Sequence, residues 1–346
     1  MSGLLSYSGV TTKIRAMSKN FITENGFREI VSLPNVPAVV TYLKKDPAYT
    51  NVLASLDENS LHRGTIEFLI GNSIYYDFQN IYNFCNPKQR LFLKAYARRY
   101  EVKLLKRSLS HAIIGEPMEE RVLTFRDFFN NYSALNIDAL YAATNVEQVI
   151  AAVAETPYYA ILSKVHQKPD ATLFDYETVL DLYHFSAIWK DRDKIVAKGS
   201  VDIITKAYGS KFDMLNLWYI HRARTYYDFS EVDTYALTIP VLYKLKKEDI
   251  KALVTAETDD QFKASLEKTY YGKHYKNLTP SNLEDMYTFV CKNVLSREAK
   301  EKPYSVASLY NYLYWKEHEI YRLTIAIECV RYGIAPDEAM KYVTLV

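Results

Sequence analysis

The chain repeats itself three times, about every 110 residues, and this repeat limits its possible folds more than any other feature. Residues 35–47 align without a gap on residues 145–157, from an asparagine at the start to a proline at the end. Residues 140–156 align in the same way on residues 253–269. A period of about 20–50 residues would indicate a solenoid, whereas a period the size of a small domain predicts fused lobes.

A second motif follows the first in every copy and reads aromatic residue or histidine, acid, three further residues, leucine. Its acids are Glu101, Asp213 and Glu319, which lie 112 and 106 residues apart. The first motif also has a tyrosine two residues after its proline, Tyr49 in copy one and Tyr159 in copy two. Two motifs in the same order, three times, predict helical lobes at residues 1–117, 118–230 and 231–346.

Composition predicts an all-α, soluble protein. The chain has 346 residues, of which 49% are hydrophobic and 24% charged, so it is long enough for more than one core. It contains only 10 glycines and 11 prolines, and so few turn-forming residues favour long helices over many short strands. No apolar run of about 18 residues is present, so we expect no membrane span.

Charge and cysteine content narrow the function further. The formal net charge is +2, and such a balanced chain is not typical of a dedicated nucleic-acid-binding protein. The three cysteines have no metal-site spacing and are too few for a disulfide framework, which favours a reducing cytoplasm.

The ends of the repeated helices can be read from the sequence. Gly115 and Gly333 each follow a motif acid by 14 residues and are predicted to end the long helices, whereas copy two has Tyr227 at that place. The first motif begins at a candidate N-cap in each copy: Asn35, Asn145 and either Thr258 or Asp259.

The motif acids are predicted to lie partly inside. Each is followed four residues later by a leucine on the same helix face, so the carboxylate needs a partner to stay charged there. Arg98 and Arg322 lie one turn from Glu101 and Glu319 and are the expected partners. The acid therefore forms an internal ion pair, accepts backbone N–H groups between helices, or contacts another protein in a central cavity. Catalysis is the least favoured role, because no base or nucleophile stands near.

Basic residues cluster around the same helices. Lys103, Lys106 and His111 accompany the arginines near Glu101, and three lysines open the third copy. They form solvated helix faces, or they dock acidic protein surfaces or anionic lipid headgroups. The candidate partner-binding residues are Arg98, Arg99, Arg107, Asn216, Arg222, Arg224, Arg322 and Arg331.

Motifs for enzyme chemistry are missing. There is no GxxxxGK[ST] loop, no GxGxxG after a strand and no GxSxG elbow. His318 and Glu319 begin like the zinc motif HExxH, but Arg322 stands where the second histidine is needed. We therefore expect no catalytic residues, no metal and no cofactor.

The second motif resembles the Tyr-Glu-x-x-Asn-Leu helices of the C subunit of V-type and A-type ATPases, called the d subunit in eukaryotic enzymes. Asn216 matches the asparagine in copy two, whereas Leu104 and Arg322 replace it in the other copies. The start, from Tyr7 through residues 13–17, is similar to that family's N-terminal helix. Residues 305–313, which lead into Glu319, are similar to its C-terminal signature, so the resemblance covers essentially the whole chain.

The resemblance implies three helical lobes around a pseudo-threefold axis, arranged as a funnel. Family members connect central-stalk subunits of the D and F type to the membrane rotor ring of proteolipid subunits, on the cytoplasmic face. They transmit torque for ATP-coupled proton or sodium transport and have neither catalytic residues nor a cofactor. The alternatives from other classes are a helical adaptor or scaffold unrelated to ATPases and a helical enzyme.

Overall fold

The chain is α-helical. A computed structural model describes residues 2–54, 56, 63–227 and 229–344, and no β-strand occurs in these ranges. This confirms the predicted all-α class. The first helices are α1 (Ser2–Ser18), α2 (Glu24–Val31), α3 (Val36–Lys44), α4 (Thr50–Leu53), α5 (Arg63–Gly71), α6 (Ile74–Asn83), α7 (Pro87–Ile114), α8 (Arg126–Tyr132), α9 (Ile137–Ala142) and α10 (Val146–Ala152).

The remaining helices are α11 (Tyr158–His166), α12 (Leu173–Asp191), α13 (Val201–Tyr226), α14 (Glu231–Leu237), α15 (Lys247–Val254), α16 (Asp259–Lys268), α17 (Tyr270–His274), α18 (Leu283–Glu301), α19 (Val306–Arg331) and α20 (Pro336–Thr344). Short 3₁₀ turns lie at Glu120–Phe125, Lys198–Ser200 and Pro280–Asn282. The helices form two compact units, and the chain passes from one to the other twice, between α6 and α7 and inside α18.

Unit 1 comprises residues 1–86 and 298–346. Its central element is α19, which packs against α1, α2, α3, α5, α6 and α20. Ser305 caps α19 by accepting a hydrogen bond from the backbone N–H of Ala307. The apolar face of α19 includes Leu313 and Leu323, which are both fully buried. The long helix near the end of the chain thus gathers the first helices of the chain around it.

Unit 2 comprises residues 87–297 and is built on α7 and α13. α7 packs against α9, α10 and α12, and α13 packs mainly against α14 and α15. The core around α13 contains Met214, Leu217 and Ile220 together with Phe262 and Leu266 of α16. Each long helix therefore lies with helices that follow it in the sequence. The lobe boundaries at residues 117 and 230 stay a prediction.

The predicted helix ends are confirmed. Asn35, Asn145 and Thr258 are the N-caps of α3, α10 and α16, and each side chain accepts a backbone N–H three residues later. Gly115 and Gly333 have φ of 80° and 65°, in the left-handed region that ends a helix at low cost only for glycine. α13 ends differently, at Tyr226, with Tyr227 at φ −120°.

Candidate functional site

The acid of copy three, Glu319, lies in the core of unit 1 and is 5% exposed. Its Oε1 accepts hydrogen bonds from Tyr49 Oη at 2.8 Å and from Lys316 Nζ at 2.9 Å. Its Oε2 accepts the backbone N–H of Ile22 at 2.6 Å. One carboxylate thus joins α19 to the segment before α2 and to the start of α4.

A buried lysine and a second acid extend this site. Lys316 is only 1% exposed, its Nζ lies 3.9 Å from Asp77 Oδ2, and it stands 4.2 Å from the centre of the Tyr49 ring. Asp77 also accepts a hydrogen bond from Tyr312 Oη at 2.7 Å. Burial raises the pKa of Asp77, and the Lys316 ammonium opposes that rise. A buried lysine is tolerated because two carboxylates compensate it.

The acid of copy two, Asp213, is fully buried in unit 2 and holds a stretch of backbone. It accepts the N–H groups of Tyr243, Lys244 and Leu245 at 3.0, 2.6 and 3.1 Å. Tyr271 Oη donates a further hydrogen bond at 3.0 Å. Burial raises the pKa of Asp213, and the three backbone N–H groups oppose the rise.

A glycine lets this stretch of backbone approach α13. A Cβ built on Gly209 would lie 2.5 Å from the Tyr243 ring, so no other residue fits there without movement. One turn further along α13, Asp213 accepts hydrogen bonds from the backbone N–H groups of residues 243–245, in the segment that crosses α13 at Gly209. The sequence thus combines a glycine and an acid, four residues apart, to seat one segment on the helix.

The acid of copy one, Glu101, is partly exposed in unit 2. Its Oε1 accepts a hydrogen bond from Ser133 Oγ at 2.7 Å and its Oε2 accepts one from Tyr158 Oη at 2.6 Å. Burial, followed by the charge of Glu101, raises the pKa of Tyr158 well above the usual range. The phenol therefore stays protonated at neutral pH and donates to this carboxylate.

The three acids share one pattern of contact. Glu101 meets Tyr158 of copy two, Asp213 meets Tyr271 of copy three, and Glu319 meets a tyrosine of copy one. Each motif acid therefore accepts a hydrogen bond from the tyrosine of the next copy, and the last copy is followed by the first. This relationship makes the acid–tyrosine contacts the candidate site.

The sequence alignment selected the wrong tyrosine in copy two. It paired Tyr49 with Tyr159, but Tyr159 is 45% exposed and its neighbour Tyr158 bonds Glu101. Copy one has one more residue between the N-cap asparagine and the tyrosine than copy two, so the gapless alignment is shifted by one position there.

The predicted arginine partners of the acids are also wrong. Arg98 bonds Asp191 at 3.2 Å instead of Glu101. Arg322 bonds Glu24 at 2.7 Å and donates to the carbonyl of Val343 at 3.0 Å. Residues one turn apart do share a helix face. The carboxylates instead accept hydrogen bonds from tyrosine, serine, lysine or backbone N–H donors, so they need no arginine partner. The alternative prediction, an internal acceptor of backbone N–H groups, is confirmed for Asp213 and Glu319.

Asn216 is an internal residue and offers nothing to a partner. Its side chain is fully buried, it donates to the carbonyl of Ile239 at 3.1 Å, and it accepts the N–H of Ile239 at 2.7 Å. This bidentate contact fixes the segment that leads to the Asp213 site. Its inclusion among the partner-binding candidates is therefore corrected.

Two further arginine candidates have internal contacts. Arg224 donates to the carbonyl of Leu253 at 2.9 Å, near the end of α15, and its guanidinium lies 5.7 Å from the centre of the Phe262 ring. Arg331 pairs with Glu328 at 2.9 Å. Arg222 is different, because it bonds the Tyr227 hydroxyl, at 3.1 Å, and lies over the Trp218 and Tyr227 rings.

The basic cluster on α7 is largely neutralised within unit 2. Arg107 and Arg121 both bond Glu119, at 2.6 and 2.8 Å. Burial acts to raise the pKa of Glu119, but hydrogen bonds and the charges of these arginines lower it to about 2. Lys106 bonds Asp181 at 2.7 Å, and Arg99 bonds the hydroxyl of Tyr96 at 2.8 Å.

Sequence reasoning missed the buried groups Lys316, Asp77 and His184. Lys316 stands three residues before Glu319 on the same helix face, and this spacing was the only signal for it. Asp77 and His184 are buried by residues that are distant in the sequence, so no local pattern indicates their burial. Within the described ranges, no three side chains of His, Cys, Asp or Glu are grouped so that they could hold a metal ion.

Comparison with known proteins identifies the family. The model of the family described as ATP synthase (C/AC39) subunit matches residues 10–342. The chain belongs to the ATP synthase (C/AC39) subunit family. The resemblance seen in the sequence is thereby confirmed, and the acid–tyrosine contacts lie within the matched region.

Relatives of similar length carry a matching name. The chain is 19% identical to the C subunit of the A-type ATP synthase of Thermococcus kodakarensis, over 97% of this chain and 90% of the relative. It is 21% identical to the C subunits of the A-type ATP synthases of Pyrococcus furiosus and Methanocaldococcus jannaschii, over 97% of this chain and 90% and 85% of the relatives. Among the described helices, none is both long and apolar enough to cross a membrane.

Proposed function

We propose that this chain is a non-catalytic rotor subunit of a V/A-type ATPase. It seats the central-stalk subunits, of the D and F type, on the membrane rotor ring of proteolipid subunits and transmits torque for ATP-coupled proton or sodium transport. The observation that supports this function most strongly is the family match over residues 10–342, together with relatives named as the C subunit of A-type ATP synthases that align over nearly their whole length.

The acid–tyrosine contacts suit a protein that carries mechanical load. Torque passes without loss only through a part that resists shear, and buried hydrogen-bonded carboxylates fix helices more rigidly than apolar contact alone. In unit 1, Glu319 holds two segments of the chain start against α19. In unit 2, Asp213 and Asn216 hold the segment of residues 239–245 against α13.

The proposal includes the place and arrangement of the protein. It is peripheral, on the cytoplasmic face of a membrane-bound complex, and is held there by protein partners. Its three repeats form a funnel around a pseudo-threefold axis, and the stalk enters the funnel. Each long helix contacts the tyrosine of the following copy, and these contacts support the proposal that the repeats act together.

A bridging experiment tests this function. The purified central-stalk heterodimer and the purified ring in nanodiscs, both from the same organism, are mixed with and without this chain. The stalk is expected to sediment with the ring only when the chain is present. If the stalk binds the ring equally well without the chain, or if the chain binds neither component, the proposed function is wrong.

A further inference from the structure

Unit 2 contains an open pocket of about 200 Å³ that the rotor function does not use. It lies between α12, α13 and the segment that runs from the end of α13 to the end of α14. Its aromatic lining is formed by Phe174, Phe185, Tyr219, Tyr227 and Phe229. The volume is sufficient for one long side chain and too small for a folded segment.

The outer aromatic rings of the pocket are packed together but left in contact with solvent. Phe174 and Phe229 are nearly perpendicular, with ring centres 6.0 Å apart, and Tyr227 lies 5.6 Å from Phe229. Phe174 is nevertheless 51% exposed and Tyr227 is 54% exposed. Large aromatic side chains that pack with each other at a pocket mouth mark an interaction site more often than scattered exposed residues do.

The pocket also presents negative charge. Glu177 lines it, is half-buried, and has no ion pair or hydrogen bond within the described part of the chain. Asp181 lines it as well and bonds Lys106 at 2.7 Å, so its charge is already compensated. Glu177 is therefore the lining carboxylate that has no compensating partner among the described residues.

The positive group in the lining is Arg222. Its guanidinium lies 5.3 Å from the centre of the Trp218 ring and donates to Tyr227 Oη, so it is held as part of the wall. No ion pair joins it to Glu177, although both of these described residues line the same pocket. Half-buried Tyr219, whose pKa is raised to about 12 first by burial and then by Asp181, stays a neutral phenol.

We propose that this pocket binds a lysine or arginine side chain of a protein partner. The aliphatic stem of that side chain packs against Phe174 and Phe229, and its cationic end lies against ring faces, where Glu177 compensates its charge. Aromatic faces attract such cations through their quadrupole, most strongly when water is excluded. The proposal stands on the pocket alone and does not depend on the rotor function.

The test uses small probes and the full chain. N-acetyl-arginine amide and its uncharged isostere N-acetyl-citrulline amide are titrated into protein with labelled alanine and leucine methyl groups. Shifts are read by NMR at Ala223 and Leu182, which line the pocket. The arginine probe is expected to bind about fivefold or more tightly than the citrulline probe, the factor given by one cation–π or carboxylate contact.

Two variants locate the effect. Glu177→Gln is expected to reduce the preference for the arginine probe to what the ring faces alone provide, and to leave binding of the citrulline probe unchanged. Glu284→Gln, at an exposed acid of α18, is the matched control and is expected to change neither. Phe174→Ala is expected to weaken both probes, because it removes the stem contact.

Three results would overturn the proposal. Equal binding of both probes would show an uncharged socket for apolar side chains. Tighter binding of N-acetyl-aspartate amide than of the arginine probe would show that Arg222, instead of Glu177, selects the guest. Shifts at Ala223 and Leu182 that do not saturate with any of the probes would show that the pocket has no such guest.

Discussion

Tyr49 donates a hydrogen bond of 2.8 Å to Glu319 across 270 residues of sequence, and so ties the first repeat to the last. The equivalent contacts join Tyr158 to Glu101 and Tyr271 to Asp213. In all three the tyrosine belongs to the copy that follows the acid. Burial and the neighbouring acid raise the pKa of each of these phenols, which are therefore protonated donors at neutral pH.

Removing one of these hydroxyl groups should destabilise the protein. Tyr49→Phe, Tyr158→Phe and Tyr271→Phe each leave a buried or half-buried carboxylate with one donor fewer. Each variant should lower the free energy of unfolding by about 1–3 kcal/mol. Urea denaturation followed by circular dichroism measures the loss. Tyr159→Phe, at the neighbouring exposed position, should stay within about 0.5 kcal/mol of the wild type. A larger loss for Tyr159→Phe than for Tyr158→Phe would contradict the assignment.

Lys316→Met should be the most damaging single change in unit 1. It removes the buried cation that lies 2.9 Å from Glu319 and 3.9 Å from Asp77, and so leaves two buried acids without it. The free energy of unfolding should fall by about 3–5 kcal/mol. Adding Glu319→Gln should recover part of that loss, because one uncompensated charge is then removed.

The control for that change is Lys206→Met. Lys206 pairs with the exposed Asp202 at 2.8 Å, and such surface pairs contribute about 0–1 kcal/mol. Chemical denaturation of the three variants in parallel gives the comparison. If Lys316→Met is no less stable than Lys206→Met, the buried network does not hold unit 1 together.

His184 should make the folded state sensitive to acid. Burial, followed by the charges of Arg99 and Lys211, lowers its pKa from 6.5 to about 3. The neutral ring is therefore favoured in the folded state, so its contribution is complete above pH 6.5 and is lost as the pH falls towards 3. The loss is on the order of 5 kcal/mol at most.

A variant isolates this contribution. His184→Leu removes the titrating group and should flatten the fall in unfolding free energy between pH 6.5 and 3, as measured by urea denaturation at several pH values. His274→Leu, at an exposed histidine of unit 2, is the control for losing one ring. An identical pH dependence in His184→Leu and the wild type would refute the assignment.

Arg222 and Arg224 should behave differently when their charge is reversed. Arg222→Glu changes a residue that has no carboxylate partner within the described ranges, so it should weaken binding of the central-stalk heterodimer or the ring by about three- to tenfold and leave the fold intact. Arg224→Glu loses the hydrogen bond to Leu253 and should lower the unfolding free energy by about 1–2 kcal/mol.

Calorimetry with the purified heterodimer and ring separates the two arginines. Arg126→Glu is the control, because Arg126 is an exposed arginine elsewhere in unit 2 that pairs with the exposed Asp138. Unchanged affinity of Arg222→Glu for both components would remove Arg222 from the candidate partner surface.

Local features of this chain could be predicted from its sequence, because they depend on residues close together. The N-caps at Asn35 and Asn145, the helix ends at Gly115 and Gly333 and the all-α class follow from side-chain chemistry within one or two turns. The repeat also identifies the three motif acids as equivalent positions. The order of the two repeated motifs along the whole chain indicates the family resemblance.

Contacts across the sequence could not be predicted in the same way. The gapless alignment pairs Tyr49 with Tyr159 instead of Tyr158, because it makes no allowance for the one extra residue between Asn35 and Tyr49. Arg98 and Arg322 were expected to pair with the acids from their helical spacing, but spacing gives only proximity on a helix surface and cannot show which donors arrive from elsewhere. Asn216 matched a family motif, and only packing shows that its amide holds Ile239.

A chain that seats the central stalk of a rotary ATPase, as we propose, must bind that stalk by itself. Native mass spectrometry of the purified chain mixed with the central-stalk heterodimer from the same organism measures this binding. We expect a one-to-one complex that dissociates as the salt concentration rises, because charge contributes to the contact. If no complex forms although circular dichroism shows the chain to be folded and helical, the stalk-binding role is contradicted and a soluble adaptor becomes the better explanation.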